Sequence, residues 1–325
     1  MKKPHILVTG ALGQIGRVLV DRLVDQHGAD AVLATDLADH VIGLPCRYAS
    51  LDATDADRWQ TLAEQHSFKL VYHLVAVLSA SGEARPWRSW DINMTAWKLA
   101  LEHARGWPEC KLFFPSSIAV YGPPVGSAPD ESVQLWPTTS YGIAKAAGEQ
   151  WAWYYTQRYG LDVRCLRLPG VIGYQTKPGG GTTDYAVDIF HHAVEGKPFT
   201  CFLQAGSCLP MIYMEDVIRG MMDVMKPARR DLIREEHHAD PPVFNLTGFS
   251  VSPQELAQAI KKELPSFEIE YAPDHRQAIA DSWPDKLDAT KAQTVWGWQP
   301  SYDLAATVQD MLLHLSPAKT QTPQS

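Results

Sequence analysis

The chain has 325 residues, of which 45% are hydrophobic and 20% charged, and its formal net charge at pH 7 is −8. This apolar content is enough for a full hydrophobic core and one or two domains. An acidic chain with a pI near 5.8 lacks the basic face that nucleic acids and anionic membranes require, so neither is expected as its main partner.

Neither a secretory signal nor a membrane span is expected. The first apolar stretch ends at Gly10 after a few residues, and no later run reaches the roughly 18 apolar residues that cross a bilayer. Five cysteines without a CxxC pair are typical of reduced thiols in a cytoplasmic protein. The adjacent pairs His191-His192 and His237-His238 lack the spacing of metal ligands, so we expect no metal site.

Strands and helices alternate along the first half of the chain. Buried strands are predicted at residues 5–9, 31–36, 69–77, 111–117 and 161–169, with helices at 14–26, 55–66, 89–105 and from Ser140 onward. Continuous apolar strands separated by helices indicate an α/β fold with a doubly wound parallel sheet of the Rossmann type, covered on both faces.

This rhythm changes after about Gly170, where glycine, proline and aromatic residues become frequent and strands, as at 199–203, become short. We therefore predict a Rossmann domain over residues 1–175 and a smaller, interleaved substrate lobe over 176–325. A strand near 243–247 is expected to return to the main sheet. The polar tail 317–325 is expected to be disordered.

A glycine-rich turn, TGALGQIG at residues 9–16, joins the first predicted strand to the first helix. Gly10, Gly13 and Gly16 permit a tight turn and a close approach of backbone to a pyrophosphate, which the helix N-terminus attracts. Together with Asp36 at the end of the second strand, the pattern predicts a dinucleotide site. A purely structural turn is the alternative.

Asp36 indicates which dinucleotide is bound. Its carboxylate can accept hydrogen bonds from the ribose hydroxyls, whereas a 2′-phosphate at close range would be repelled by roughly 4 kcal/mol per charge pair. No lysine or arginine follows in Leu37-Ala38-Asp39 to neutralise such a phosphate. The sequence therefore favours NAD over NADP.

Tyr141 and Lys145 lie four residues apart in YGIAK, on one face of a predicted helix. A tyrosine that acts as a base near neutral pH needs its pKa lowered by two to three units, about 3–4 kcal/mol. A lysine ammonium one turn away and a cationic nicotinamide can supply this, and a serine hydroxyl from Ser116-Ser117 at a strand end can hold the substrate oxygen. An ordinary exposed helix pair is the alternative.

TGALGQIG, HLVAVLSA, FFPSSIAVYG and YGIAK together resemble the extended short-chain dehydrogenase/reductase superfamily, over essentially the whole chain. The resemblance implies that Ser117 is catalytic, that Tyr141 is the general base and that Lys145 is its partner. The cofactor contacts it implies are Gly10, Gly13, Gln14, Ile15, Gly16, Asp36, Leu37, Asp52, Ala53, Leu74, Ala76, Asn93, Tyr141, Lys145 and Val171.

Five further stretches are similar to the short-chain L-threonine 3-dehydrogenases: RLPGVIGY, PGGGTTDYAVDIF, FTCFL, LPMIYMEDV and RQAIADSWP. Leu168 and the pair Val120-Tyr121 depart from that pattern, but neither touches a proposed catalytic atom. The resemblance implies NAD-linked oxidation of the 3-hydroxyl of L-threonine to 2-amino-3-oxobutyrate. A nucleotide-sugar epimerase or dehydratase and a non-catalytic dinucleotide sensor are the rival functions.

The substrate contacts expected on this basis are Ser79, Ser81, Ser117, Tyr141, Gly180, Thr182 and Asp184. Asp184 would pair with the ammonium, and the hydroxyls of Ser79, Ser81 and Thr182 would donate to the carboxylate. The alternatives are serines at a loop tip and, for Thr182 and Asp184, caps of the following helix. A triple glycine at 179–181 is interpreted as a hinge that lets this segment close over the substrate.

Helix 141–159 carries more aromatic residues than one buried stripe requires, among them Trp151, Trp153, Tyr154, Tyr155 and Tyr159. Because members of the superfamily often dimerise through this helix and the one before it, the resemblance implies a homodimer. A wide core face is the alternative.

Overall fold

A computed structural model describes residues 4–177, 179–232 and 242–316. The pair His237-His238 and the tail at 317–325 lie outside the described residues. No helix within the described ranges is long and apolar enough to cross a membrane.

The elements alternate as predicted through the first half of the chain. The strands are β1 (Ile6–Thr9), β2 (Val32–Asp36), β3 (Arg47–Ser50), β4 (Leu70–His73), β5 (Lys111–Ser117), β6 (Asp162–Leu168), β7 (Gly170–Ile172), β8 (Phe199–Cys201), β9 (Leu209–Tyr213), β10 (Val243–Asn245), β11 (Phe249–Val251) and β12 (Ile269–Tyr271). The helices are α1 (Gln14–His27), α2 (Ala56–Gln65), α3 (Ser79–Glu83), α4 (Pro86–Ala104), α5 (Ser140–Tyr159), α6 (Tyr185–Val194), α7 (Met214–Val224), α8 (Arg229–Leu232), α9 (Pro253–Glu263), α10 (Arg276–Ala280), α11 (Thr290–Trp296) and α12 (Leu304–Leu315).

Seven of the described strands form one sheet in the order β10-β6-β5-β4-β1-β2-β3. Every pair in this sheet is parallel, and β1 lies between β2 and β4 with Ile6 opposite both Val32 and Leu70. The chain leaves β1 toward one edge and returns at β4 toward the other, so the strand order reverses beside β1. This is the predicted doubly wound Rossmann sheet, with its switch point between β1 and β4.

The strand predicted near 243–247 is β10, which pairs with β6 at the sheet edge. The remaining strands form a three-stranded sheet, β11-β9-β7, and a two-stranded sheet, β12-β8, within the described residues. Helices α6, α9 and α12 pack against one another beside them. The boundary between domains at residue 175 remains a prediction.

Three elements differ from the sequence expectation: β4 is shorter than predicted, and β3 and α3 are additional. Strand β4 ends at His73 rather than 77, because the Asn93 side chain binds the following loop: Val77 N–H donates to Asn93 Oδ1 (2.7 Å) and Asn93 Nδ2 donates to the Val77 carbonyl (3.2 Å). Strand β3 and the five-residue helix α3 were not predicted, because each is shorter than the pattern needed to recognise it.

Helix α5 packs directly on strand β5 because two glycines face the sheet. A β-carbon at Gly148 would lie 2.4 Å from Cζ of Phe114, and one at Gly142 would lie 2.1 Å from the carbonyl oxygen of Ala119. Any larger side chain would push the helix away. The close approach therefore sets where the N-terminal half of α5 lies above the sheet.

We expect Gly148→Ala to lower the free energy of unfolding by about 1–3 kcal/mol, because the added methyl group overpacks the α5–β5 interface. The Phe114 ring cannot move aside easily, since it packs on Trp97 with ring centroids 4.4 Å apart. Urea denaturation measures the loss. Gly206→Ala is the control, because a β-carbon there meets nothing within 4 Å; equal stability of the two variants would contradict the prediction.

Candidate active site

A cleft opens at the carboxyl ends of β1, β4 and β5, beside the switch point of the sheet. Its lining residues are Gly10, Gly13, Gln14, Ile15, Gly16, Leu74, Ala76, Leu78, Ser79, Pro115, Ser116, Ser117, Ile118, Tyr141, Lys145, Leu168, Pro169, Gly170, Val171, Gly181, Thr182, Thr183, Asp184 and Trp283. Ligands of open α/β sheets bind at this position.

The phosphate loop (residues 10–16) is held tightly between β1 and α1. Gly10 has a φ of +70°, and a β-carbon on Gly16 would lie 2.3 Å from the Gly10 carbonyl oxygen. The Asp36 carboxylate anchors the loop from the next strand, because it accepts hydrogen bonds from the backbone N–H groups of Leu12 (2.9 Å) and Leu37 (2.7 Å). The turn, the helix N-terminus and the carboxylate thus stand together as a dinucleotide site requires.

Gly13 in the cleft and two residues beyond its lining, Leu37 and Asp52, fit an adenosine dinucleotide. A β-carbon on Gly13 would meet only the Gly10 carbonyl oxygen, at 3.4 Å, so the face of the loop is open for phosphate. Leu37 is 69% exposed beside Asp36 and offers apolar surface to a base. Asp52 lies just past β3, where the backbone N–H and hydroxyl of Thr54 hold its pKa below the ordinary value.

The first turn of α5 presents Tyr141 to the cleft. Thr139 caps the helix, and its hydroxyl accepts a hydrogen bond from Gly142 N–H (3.0 Å). Burial raises the pKa of Tyr141 to about 12, although a hydrogen bond with the Ser117 side chain favours the phenolate. The serine and the tyrosine predicted from the sequence are therefore in direct contact at the end of β5.

Lys145 lies one turn further along α5 and is 5% exposed. Its Nζ donates to the carbonyl of Pro115 (2.6 Å) and lies 5.4 Å from the centre of the Tyr141 ring. Burial lowers the pKa of Lys145 from an ordinary 10.5 to about 7, against the charge of Glu149, which raises it. A cation with this pKa can gain or lose its proton near neutral pH.

A buried polar network that the sequence reading missed lies behind Lys145. Glu149 accepts two hydrogen bonds from Arg167 (2.9 and 2.8 Å) and one from the Ser116 hydroxyl. Arg167 also donates to Tyr121, which in turn donates to the Asn245 side chain (2.8 Å) or to a backbone carbonyl. A carboxylate one turn beyond YGIAK and an arginine in β6 were the only signals of this network in the sequence.

The opposite wall of the cleft is built from α3 and the segment before α6. The Ser79 and Thr182 hydroxyls are 3.3 Å apart and hydrogen bond to each other, and both residues are buried. Ser79 begins α3, so it is not at a loop tip. Ser81 is exposed outside the cleft lining, and its hydroxyl donates to the Leu78 carbonyl (3.2 Å).

Asp184 occupies the N-cap position of α6, but its side chain makes no capping hydrogen bond there. Its Oδ2 instead accepts hydrogen bonds from the backbone N–H groups of Gly180 and Gly181, both at 2.7 Å. Gly180 has a φ of +97°, which an L side chain rarely adopts. These two hydrogen bonds fold the triple-glycine segment (residues 179–181) back toward the Asp184 carboxylate, next to the start of α6.

Most of the predicted site residues meet in one place, and the binding roles assigned to them remain predictions. Those outside the cleft lining are Asp36, Leu37, Asp52, Ala53, Asn93, Ser81 and Gly180. The first four stand at or just after the carboxyl ends of β2 and β3, whereas Asn93 binds the Val77 backbone. Among the described lining residues, Trp283 comes from furthest along the chain; it lies in the stretch RQAIADSWP, but the sequence assigned it no role.

Comparisons with known proteins agree with this arrangement. The family model described as "NAD dependent epimerase/dehydratase family" matches residues 6–236. An uncharacterized epimerase/dehydratase from Staphylococcus saprophyticus is 39% identical over 318 residues, 96% of each chain. A GalE-like L-threonine dehydrogenase from Cupriavidus necator in its holo form is 42% identical with a TM-score of 0.91, over 96% of this chain and all of that one. A monomeric L-threonine 3-dehydrogenase from a metagenome is 38% identical with a TM-score of 0.90, over 96% and 98%.

We expect Lys145→Met to raise the thermal midpoint of the cofactor-free protein at pH 6, because it removes a buried ammonium. The pKa of Lys145 is about 7 when folded and near 10.5 when unfolded, so the unfolded chain binds more protons between these values. Wild-type stability then rises with pH across this window, and the advantage of the variant shrinks toward pH 10.

Scanning calorimetry at several pH values measures this difference. Lys98→Met, at an exposed position on α4, is the matched control and is expected to show no such trend. A Lys145→Met midpoint below that of the wild type at pH 6 would overturn the assignment of a destabilising buried charge.

Proposed function

Because the chain belongs to the NAD dependent epimerase/dehydratase family, we propose that it is an enzyme of that family which oxidises the 3-hydroxyl of L-threonine to 2-amino-3-oxobutyrate. Solved L-threonine dehydrogenases share its fold at about 40% identity. The relative from Staphylococcus saprophyticus is itself uncharacterized, so we argue the identity of the substrate from the residues of the cleft.

NAD is the cofactor, and the residues present fit it. The phosphate loop would hold its pyrophosphate, Asp36 its adenosine ribose, and Lys145 the ribose beside the nicotinamide. When bound, NAD⁺ supplies a positive charge and the acceptor for the hydride that leaves carbon 3 of the substrate.

One observation carries the choice of substrate: among the described residues that line the cleft, Lys145 is the only lysine or arginine. A nucleotide-sugar carries a diphosphate that needs cationic partners beyond the dinucleotide site. This cleft instead offers the hydroxyls of Ser79 and Thr182 and the carboxylate of Asp184. Hydroxyls and one carboxylate are suited to a small zwitterion with a carboxylate, an ammonium and an alcohol.

Three residues of the chain each carry out one part of the oxidation. Ser117 donates a hydrogen bond to the substrate oxygen, and the Tyr141 phenolate takes the hydroxyl proton. At a pKa of about 12 only about one Tyr141 in 10⁵ is ionised at pH 7. The Lys145 ammonium next to it stabilises the phenolate and so raises that fraction. Loss of a proton to Tyr141 and of a hydride from carbon 3 converts the alcohol to the ketone.

We expect NADH to form with L-threonine and NAD⁺, at a far lower rate with L-serine or D-threonine, and not with UDP-glucose. Absorbance at 340 nm measures the product. Tyr141→Phe is the matched variant: it keeps the ring but removes the base, so turnover is expected to fall at least 100-fold while NAD⁺ binding by calorimetry persists.

Turnover of the sugar nucleotide alone would assign the chain to the epimerases or dehydratases of its family. NAD⁺ binding without turnover of any alcohol would instead indicate a sensor. Full activity of Tyr141→Phe would exclude its role as the base.

We propose further that the chain forms a homodimer through α5. Ile143, Trp151 and Tyr154 are each nearly half exposed, and spacings of eight and eleven residues bring them to one side of the helix. A cluster of large apolar side chains in water is typical of a protein interface. The alternative is a monomer, which is how the L-threonine 3-dehydrogenase from a metagenome is described.

Light scattering is expected to give a mass of twice 36.2 kDa for the wild type and a monomer for Trp151→Arg, which places a charge in the interface. Trp136→Arg is the control, because Trp136 is 54% exposed but lies outside α5. A monomeric wild type would refute the dimer.

A further inference from the structure

Trp283 holds a hydrogen-bond donor in the cleft wall that nothing in the described part of the chain accepts. The residue is 9% exposed, and its Nε1 is buried without a hydrogen-bond partner. An indole N–H can only donate. Trp97 donates to the Gly148 carbonyl and Trp298 to the Thr247 carbonyl, whereas the partly buried Trp296, which does not line the cleft, also has an indole N–H without an acceptor. An unsatisfied donor that lines a ligand cleft indicates an acceptor on the ligand.

The indole is held in a defined place relative to the catalytic helix. Ser282, the preceding residue, donates to the Ile279 carbonyl (2.7 Å) and accepts from the Thr138 hydroxyl (2.8 Å). Thr138 directly precedes Thr139, the cap of α5, and lies three residues before Tyr141. The segment that carries Trp283 is thus tied to the start of the helix that carries the base, so the two are positioned together.

The chemistry of the cleft selects which substrate atom this donor meets. On the proposed function, the ligand has a 3-hydroxyl, an ammonium and a carboxylate. The ammonium has no lone pair to accept with, and the hydroxyl oxygen is served by Tyr141 and Ser117. The substrate carboxylate is therefore the acceptor that remains for the indole N–H. Lys145 cannot neutralise this carboxylate, because the Lys145 Nζ donates to the Pro115 carbonyl below Tyr141.

Neutral donors must therefore hold the carboxylate. The Ser79 and Thr182 hydroxyls are hydrogen bonded to each other, so one of their two protons is already used. We propose that the Trp283 indole N–H donates to the carboxylate of the amino-acid substrate, beside the remaining hydroxyl of the Ser79–Thr182 pair. This inference rests on the proposed function and adds to it the group that recognises the carboxylate end.

Trp283→Phe tests the proposal, because it keeps an aromatic ring in the wall and removes only the N–H group and part of the ring volume. Steady-state kinetics are measured with L-threonine and with 1-aminopropan-2-ol, which is threonine without its carboxylate. We expect kcat/KM for L-threonine to fall at least tenfold, mainly through KM, as for loss of a hydrogen bond to a charged group. The value for 1-aminopropan-2-ol should change less than threefold.

Trp298→Phe is the matched control, because it removes a buried indole N–H that is satisfied outside the cleft. It is expected to leave the ratio of the two kcat/KM values unchanged. An equal fall for both substrates in Trp283→Phe would assign Trp283 a packing role and overturn the proposal. If the wild type does not oxidise L-threonine, the proposed function fails and this inference fails with it. That outcome is distinguishable from an equal fall in Trp283→Phe, because it appears in the wild type before any variant is compared.

A second measurement covers the case in which Trp283→Phe does not fold. Wild-type protein labelled with ¹⁵N at the indole nitrogens is titrated as its NADH complex, and Trp283 is the one tryptophan among the described lining residues. We expect one indole N–H resonance to move on addition of L-threonine and not with 1-aminopropan-2-ol. Identical indole spectra with the two ligands at saturation would overturn the proposal.

Discussion

The close contact between α5 and β5 is the constraint on which the active site depends. It exists because Gly142 and Gly148 present no side chain to the sheet, so the helix backbone lies directly on Phe114 and the loop after β5. At that distance the Lys145 side chain is almost fully buried at the base of the cleft, and its ammonium donates to a strand carbonyl. The depressed lysine pKa and the raised tyrosine pKa both follow from this burial.

The same contact brings a buried ion pair into the structure. Glu149 and Arg167 are 3% and 4% exposed and form a two-point hydrogen-bonded pair between α5 and β6. A buried pair of this kind adds little net stability when compared with apolar side chains, but breaking it leaves an uncompensated charge. Its partners Tyr121 and Asn245 connect it to the strand that returns from the C-terminal half of the chain. The network thus orders the base of the site across segments that are far apart in sequence.

The triple-glycine segment joins the same site from the other side. Its backbone N–H groups converge on the Asp184 carboxylate, which requires the positive φ of Gly180. In this arrangement Asp184 holds its own loop, and the loop brings Thr182 against Ser79. Backbone freedom in the glycines is therefore used to shape a closed turn. Its motion as a hinge on substrate binding remains a prediction.

Local patterns were enough to predict the Rossmann half of the molecule, because its strands are continuously apolar and its helices are long. They also identified Tyr141 and Lys145, whose spacing alone puts them on one helix face. Patterns could not predict β3 or α3, which are too short to show a period, nor that Asn93 would hold a loop rather than line the cleft. Trp283 was quoted only as part of a family stretch, since nothing local distinguishes a cleft tryptophan from a core one.

The sequence by itself determined the doubly wound sheet, the dinucleotide loop with Asp36 and the serine, tyrosine and lysine of the site. Each of these depends on residues that are near one another in the chain or that end successive parallel strands. Only the tertiary structure decided the pKa values, the Glu149–Arg167 network and the arrangement of Ser79, Thr182, Asp184 and Trp283 around one cleft. Those features depend on burial and on contacts between distant segments, which no local pattern of residue types encodes.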